Sequence, residues 1–264
     1  MAEEKKKKTI VSASSGKTVN VKEAKPVGNA KPKRVGAVIL WVLAIAFEVV
    51  AILMLFGKIS ITFMNTLTAI VIALVLDLAC VIAGSLLWKK ANHIDPASEK
   101  NKVKFWLWNN MGLIVCAFAF IPFVILTLTK KDADKKTKTV ATVVAVIALL
   151  IGGLFSYDWN PVSSEEKDAA VGYFGNDKVY WTQFGTVYHT STECSHLNNS
   201  DTLVEGTVDE AIAANKSRLC KTCEKRDNID INKSTPADSG DDIVIVDDGD
   251  TTENGTEAGT DTEA

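Results

Sequence analysis

The sequence has little cysteine, proline or histidine: five Cys, six Pro and three His among 264 residues. So few cysteines do not fit a secreted scaffold held together by disulfides. The chain also lacks a nucleotide-binding glycine loop, a Ser-His-Asp order and a His-Glu-x-x-His motif. With no catalytic set visible, we predict that the protein is not an enzyme.

Lys and Arg are missing from the C-terminal end of the chain, and acidic residues are few at the N-terminal end. Ten of the 29 Lys and Arg residues lie before residue 35, and ten of the 32 Asp and Glu residues follow Ala237, where no Lys or Arg occurs. The formal net charge of −3 therefore combines a basic N-terminal segment with an acidic C-terminal one. The sequence between them is too apolar for a single soluble domain and indicates a membrane protein.

Four long segments contain almost no charged residues. A helix that crosses the hydrocarbon core of a bilayer needs about 20 mostly apolar residues. Only Glu48 and Asp77 interrupt these segments with a charge, and no polar stripe repeats every 3.6 residues as in a soluble bundle. Lysines and tryptophans flank the segments, which is typical of the membrane interface. The sequence predicts an all-α, four-helix transmembrane region over residues 35–155, with helices at 35–56, 62–88, 105–129 and 139–155.

The distribution of lysine and arginine bears on orientation, because these residues favour the cytoplasmic side of helix ends. With the N-terminus in the cytoplasm, eleven of them flank the helices on that side and six on the other. We therefore predict a cell-membrane protein with a cytoplasmic N-terminus. The charges that flank the last helix favour the opposite side for its C-terminal end, because lysines precede this helix and Asp158, Glu165 and Glu166 follow it. Should the third segment fail to cross near Asn109 and Asn110, the C-terminal module would be extracellular, so its side stays open.

The residues outside the helices divide into two tails, a linker and a small folded unit. Residues 1–34 are polar and rich in Lys, which predicts a disordered tail that is attracted to anionic lipid or only sets the topology. Residues 156–176 contain Pro161 and an acidic stretch and are interpreted as a linker. Residues 229–264 are rich in Asp, Glu, Thr and Gly, which predicts an acidic disordered tail.

Residues 177–228 have the composition of a small α+β module. Two β-prone segments, 179–182 and 186–189, predict a hairpin. Thr207 and Glu210 have the spacing of a capping box, which predicts that a short helix begins there. A unit this small cannot build a sufficient hydrophobic core alone, so we expect a metal ion or a disulfide to stabilise it.

Four residues of the module could stabilise it by binding zinc: His189, Cys194, Cys220 and Cys223. Structural zinc takes four nitrogen or sulfur ligands at tetrahedral positions, and a Cys-x2-Cys turn places two thiolates on one side of the ion. His196 is the alternative imidazole ligand. We prefer His189 because it lies at the end of a predicted strand, whose register can direct the side chain toward the ion. The alternative to zinc is a disulfide plus a free thiol, which an extracellular location would favour.

The module also contains a set of short motifs, namely Tyr188-His189, Cys194-Ser195-His196-Leu197, Glu210-Ala211 and Cys220-Lys221-Thr222-Cys223. In this it resembles the small zinc modules related to the metal-binding domain of the Ada DNA-alkylation-repair protein. The resemblance implies a zinc-bound hairpin and helix appended to a bacterial membrane or secreted protein. Leu219 stands where those modules often have proline, and a histidine replaces one of the four Ada cysteines, so methyl-group acceptance is not implied.

Glu48 and Asp77 lie within predicted membrane helices, where a carboxylate is costly and is a candidate functional group. No Lys, Arg or His lies within the four predicted helices to pair with them. They could carry a proton or a cation. Alternatively, Asp77 could form interhelical hydrogen bonds with Asn65, Asn109 or Asn110.

These observations favour a multi-pass membrane protein that carries a structural zinc-binding module for interaction or sensing. The alternative is a small transporter or pump accessory that uses Glu48 and Asp77. The bilayer is the predicted partner, joined by anionic lipid at the basic N-terminus. The basic residues near the Cys pair are too few to indicate nucleic acid, and the sequence does not identify a protein or polymer partner of the module.

Overall fold

The computed structural model describes residues 8–11, 18–130 and 134–231. Its helices are α1 Ala30–Leu55, α2 Thr66–Ile94, α3 Lys102–Asn109, α4 Met111–Thr129, α5 Lys135–Ser156, α6 Ser164–Phe174, α7 Val208–Ala213 and α8 Lys221–Arg226. Its strands are β1 Lys8–Val11, β2 Thr18–Glu23, β3 Val179–Trp181, β4 Val187–Tyr188, β5 Thr202–Gly206 and β6 Arg218–Leu219. The predicted acidic tail lies outside the described residues from position 232 onward.

Four of these helices, α1, α2, α4 and α5, are long and apolar enough to cross a membrane. They pack side by side around a core rich in alanine, while large apolar side chains such as Ile39, Phe118 and Leu150 are exposed on the outside. An apolar outer surface of this kind is suited to lipid rather than water. The prediction of a four-helix, multi-pass membrane region is confirmed.

The start of α1 and the end of α2 differ from the predicted boundaries. The first helix begins at Ala30 rather than residue 35, because the side chain of Asn29 accepts a hydrogen bond from the Lys31 amide and caps it. The second continues beyond residue 88 to Ile94. Its added turns are kept helical by packing: Asn92 and His93 are buried, and Asn92 Nδ2 donates to Trp108 O at 3.3 Å.

The third predicted segment consists of two helices that meet at Asn110. This residue leaves α-helical geometry at φ −103° and ψ 21°. The side-chain amides of Asn109 and Asn110 donate to Phe105 O and Trp106 O, one turn back in their own helix. After the break, α4 alone has 19 residues and is long enough to cross a membrane. The expectation that this segment could fail to span is therefore not supported.

The C-terminal region forms a small α+β unit, as predicted, and this unit contains two sheets. One sheet has the order β1-β2-β5-β3, and the other contains β4 and β6. The predicted hairpin is present as a bridge in which Tyr180 and His189 exchange backbone hydrogen bonds of 2.7 Å. The predicted short helix is α7, and Thr207 and Glu210 form its capping box.

The prediction of a disordered tail over residues 1–34 is wrong for residues 18–34, which contain strand β2 and the start of α1. Strand β2 pairs in parallel with β5, Val21 facing Leu203. Its side chains alternate between buried and exposed, so Val19 and Val21 enter the hydrophobic core of the C-terminal unit. The short Val-x-Val pattern was too brief to stand out among the lysines. Residues 1–7 and 12–17 lie outside the described part of the chain.

The predicted linker at 156–176 also requires correction, because most of it is helix α6. Ser163 and Glu166 form a capping box at its start. Ala170 and Phe174 are buried in the same core as β2, and the Phe174 ring meets Tyr188 edge-on with centroids 6.0 Å apart. The folded unit, called the zinc module below after its predicted ligand, therefore comprises residues 162–231 and the N-terminal strands.

The zinc module rests on one end of the helix bundle. The Lys167 amine donates to Ile94 O at 2.6 Å, and the Ser164 amide donates to Ala97 O at 3.0 Å. Arg34 at the start of α1 pairs with Asp95 just after α2 at 2.7 Å, at the same end. Since β2 precedes the first of the four apolar helices and β5 follows the last, the two ends of the helical region lie at the same end of the bundle.

Candidate metal centre

The four predicted ligand residues come together in the core of the zinc module. The ligand atoms of His189, Cys194, Cys220 and Cys223 all lie within 4.8 Å of one another. All four residues are buried, with 5% or less of their surface exposed. They form a group that could hold a metal ion.

Each ligand is positioned by a different local feature of the fold. His189 follows β4 and is fixed by its paired backbone hydrogen bonds to Tyr180. Cys194 precedes a single 3₁₀ turn at Ser195–Leu197. Cys220 directly follows β6, and its amide donates to Tyr188 O at 2.9 Å. It is the N-cap residue of α8, whose first turn carries Cys223. The pairing of β4 with β6 thus brings His189 beside the Cys-x2-Cys turn.

Two distances within the cluster are close to those of a tetrahedral metal site. With Zn–S bonds of about 2.3 Å and Zn–N bonds of about 2.0–2.1 Å, tetrahedral geometry places two sulfurs about 3.8 Å apart and a sulfur and a nitrogen about 3.6 Å apart. The observed separations are 4.0 Å for Cys194 Sγ to Cys220 Sγ and 3.7 Å for Cys223 Sγ to His189 Nδ1. A disulfide requires about 2.05 Å between sulfurs, and all three cysteines are free thiols.

The electrostatics of the cluster also favour an enclosed cation. Burial, and then the nearby His196, lower the pKa of His189 to about 4, so the imidazole is neutral and able to bind metal. Burial raises the pKa of the Cys194 thiol to about 12. Burial also acts to raise the pKa of Cys220, but hydrogen bonds from the amides of Cys223 and Thr222 outweigh it and lower that pKa. Thiolates in so enclosed a site need a metal ion to compensate their charge.

His196, the alternative imidazole, lies outside the cluster. Its side chain is exposed, and its Nε2 is 3.0 Å from the Thr222 hydroxyl on the Cys-x2-Cys turn. The resulting contact joins the loop after Cys194 to the start of α8. His196 thus contacts the Cys-x2-Cys turn rather than the ion. The Cys-x-His spacing in the sequence does not predict this contact.

Glu48 and Asp77 both face the interior of the helix bundle, with 5% and 0% of their surface exposed. Among the described residues, Glu48 Oε1 and both carboxyl oxygens of Asp77 have no hydrogen-bond partner. The suggested bonds from Asp77 to asparagines do not form. Asn65 caps α2, and Asn109 and Asn110 bond to carbonyls of their own helix. Neither carboxyl belongs to the metal cluster.

Comparison with known proteins gives no match: no family model, curated sequence or solved structure is significantly similar to the chain. The likeness of the zinc module to Ada-related modules therefore rests on its residues alone and stays a prediction.

Proposed function

We propose that this is a multi-pass protein of the cell membrane whose module is held together by a structural zinc ion and serves in interaction or sensing, not catalysis. The observation that carries the proposal is the buried cluster of three thiols and one imidazole. Four protein ligands complete a tetrahedral shell and leave no position for a reactive water, as in structural zinc sites. Three sulfur donors favour zinc over magnesium or calcium, which prefer oxygen.

The zinc ion would supply stability that the module cannot obtain from its core alone. Structural zinc in small domains contributes about 10–16 kcal/mol of apparent binding free energy at neutral pH. The ligands come from four separate stretches of the module, the end of β4, the 3₁₀ turn, the end of β6 and α8. One ion would thus tie the two-stranded sheet of β4 and β6 to the 3₁₀ turn and the last helix.

A cytoplasmic location of the module is part of this proposal. The two ends of the membrane region share one side, and the excess of Lys and Arg near the helix ends favours the cytoplasm for that side. Free thiols persist in the reducing cytoplasm, whereas they tend to oxidise outside. The N-terminal tail and the module would then face the same compartment.

The test is metal analysis of the full-length protein purified in mild detergent. We expect one zinc per chain, and we expect Cys220→Ser and Cys223→Ser each to abolish binding, because each removes one ligand of four. Cys80→Ser is the matched control, since this thiol lies in α2 within the membrane region. A strong chelator should unfold the module and leave the membrane helices intact.

The result that contradicts the proposal is equally specific. If the module survived excess chelator and lost its structure only under reductant, a disulfide would hold it. Such a result would also place the module outside the cytoplasm.

A second candidate function is transport of a proton or a cation. It is favoured by one observation: Glu48 and Asp77 are buried in the bundle with unpartnered carboxyl oxygens. Intramembrane carboxyls without a countercharge often mark ion pathways. The test is flux in proteoliposomes: transport requires that Asp77→Asn and Glu48→Gln abolish it, whereas the zinc-module proposal expects Asp77→Asn to fold and accumulate normally.

A further inference from the structure

One cavity lies where three parts of the molecule meet. It has a volume of about 680 Å³, within the range of about 300–1,000 Å³ that is typical of small-molecule sites. Its walls come from the segment between β2 and α1, from the end of α2 at Ile94, and from the zinc module. The metal ligands do not line it, so the cavity is distinct from the candidate metal centre.

The polar part of the lining is mainly basic. Four lysines, Lys22, Lys25, Lys33 and Lys216, face two carboxylates, Glu23 and Glu210. One of those carboxylates is already engaged, because Glu210 accepts hydrogen bonds from the amide and hydroxyl of Thr207 in the capping box of α7. The cavity therefore carries an excess of positive charge.

Lys216 is the most informative of these lysines because only 4% of its surface is exposed. Its amine donates to the carbonyls of Gln183 and Gly185, and an ammonium group has three donors. One donor is left for a ligand, and burial lowers the pKa of this lysine. A buried ammonium that has carbonyl partners but no carboxylate bonded to it is suited to an anion.

Most of the remaining lining is apolar, and part of it lies at the ends of two helices that are long and apolar enough to cross a membrane. Pro26 and Val27 precede α1, and Ile94 ends α2, so this wall is adjacent to two membrane helices. Trp181 and Val204 form the opposite wall within the zinc module. A ligand that fits both parts of the lining has an anionic group and an apolar portion.

We propose that this cavity binds a phosphate-bearing amphiphile, its phosphate held by the lysines and its apolar portion packed between Ile94 and Trp181. Phosphate is the anionic group that lysines at a membrane surface commonly meet. The source is either an anionic phospholipid of the bilayer or a soluble phosphate ester. Because the segment before α1 forms one wall, a bound ligand would also hold the start of α1 against the zinc module.

The experiment uses the full-length, zinc-loaded protein in neutral detergent and measures binding by native mass spectrometry. The probes are dihexanoyl phosphatidylglycerol, dihexanoyl phosphatidylcholine and sn-glycerol 3-phosphate. We expect tighter binding of the anionic phospholipid than of the zwitterionic one. Comparable binding of glycerol phosphate, which has no apolar portion, would overturn the apolar part of the proposal and leave a soluble phosphate ester as the ligand, whereas its failure to bind would identify the lipid.

Two pairs of substitutions separate the cavity from general surface charge. Lys25→Gln with Lys33→Gln should weaken binding by about tenfold or more, since both charges line the cavity. Lys102→Gln with Lys178→Gln removes the same charge from exposed positions outside it and should change binding less than about twofold. Unchanged zinc content and melting temperature would show that both variants fold.

A blocking substitution provides the decisive control. Ala214 lines the cavity and is exposed to it, so Ala214→Trp should fill the space and weaken binding without altering charge. The proposal is overturned if the anionic and zwitterionic lipids bind equally, if the control pair weakens binding as much as the cavity pair, or if Ala214→Trp has no effect.

Discussion

At the scale of single residues, the module depends on which side chains lie inside the metal cluster and which lie beside it. His189 and His196 are seven residues apart, and both are close to Cys194 in sequence. In the structure His189 is buried, with its Nδ1 3.7 Å from Cys223 Sγ. His196 is exposed and contacts the Thr222 hydroxyl instead.

The two histidines should therefore respond differently to substitution. We expect His189→Ala to abolish stoichiometric zinc binding and unfold the module, because it removes one ligand of four. His196→Ala should keep one zinc per chain and cost about 1 kcal/mol or less, the contribution of one exposed hydrogen bond. Metal analysis and chelator titration of both variants check this. The reverse order of effects would show that His196 is the ligand.

At the scale of secondary-structure elements, β2 has the most unexpected role. It comes from the N-terminal segment, yet it lies between β1 and β5 in the larger sheet. Val19 and Val21 are buried in the core of the zinc module, whereas Asn20 between them is exposed. A strand in this position adds both hydrogen bonds and apolar area to a small core.

We predict that Val21→Asp destabilises the module by about 3 kcal/mol or more, because it removes a buried apolar side chain and places a carboxylate in its position. Asn20→Asp is the matched control: it introduces the same charge at an exposed position of the same strand and should have little effect. Limited proteolysis and amide hydrogen exchange of residues 179–206 report the change. Equal protection in both variants would mean that β2 does not pair with β5.

The contact between α1 and α2 depends on a small residue at its centre. A Cβ added to Gly84 would lie 2.6 Å from Trp41 Nε1 and 3.1 Å from Ala37 O. The Trp41 ring is itself held by Trp88, with ring centroids 5.2 Å apart. Neither the indole nor the backbone carbonyl can move freely, so the helices approach closely only with glycine here.

We expect Gly84→Ala to lower the melting temperature of the detergent-solubilised protein, at a cost of about 1–3 kcal/mol from overpacking. Gly153→Ala in α5 is the control, because its added Cβ would meet only Leu113 Cδ1 at an ordinary 3.6 Å. Thermal unfolding followed by tryptophan fluorescence compares the two. A Gly84→Ala variant as stable as the control would indicate that the two helices are farther apart than described.

At the scale of the whole molecule, the two ends of the chain are joined across the membrane region. Strand β2 lies before the first membrane helix and pairs with β5, which lies after the fourth. This pairing is possible only if β2 and the zinc module are on the same side of the bilayer. It favours one shared side over the opposite sides that the flanking charges of α5 suggest.

Epitope tags before residue 1 and after residue 264 should therefore become accessible to protease from the same face of sealed membrane vesicles. A cysteine introduced by Lys58→Cys, in the loop between α1 and α2 at the other end of the bundle, should react only from the opposite face. If the two tags were accessible from opposite faces, the pairing of β2 with β5 could not exist in the membrane. Protection of both tags in right-side-out vesicles would place them in the cytoplasm.

The sequence by itself determined the local features. Long apolar runs predicted four membrane helices because the hydrocarbon thickness sets a minimum length. The Thr207–Glu210 spacing predicted the start of α7, and the Cys-x2-Cys turn predicted two ligands of one site. Each of these features depends on neighbouring residues, so it can be read from a short window.

Only the tertiary structure decided the contacts between distant segments. The burial of Val21 against Leu203, the packing of Phe174 on Tyr188 and the cavity formed by Lys25, Ile94 and Trp181 join residues far apart in the chain. The two valines of β2 and the short helix α6 each have too little apolar area for the sequence to show which segment they pack against. The free energy that orders them comes from surface buried on the module, which exists only once the chain has folded.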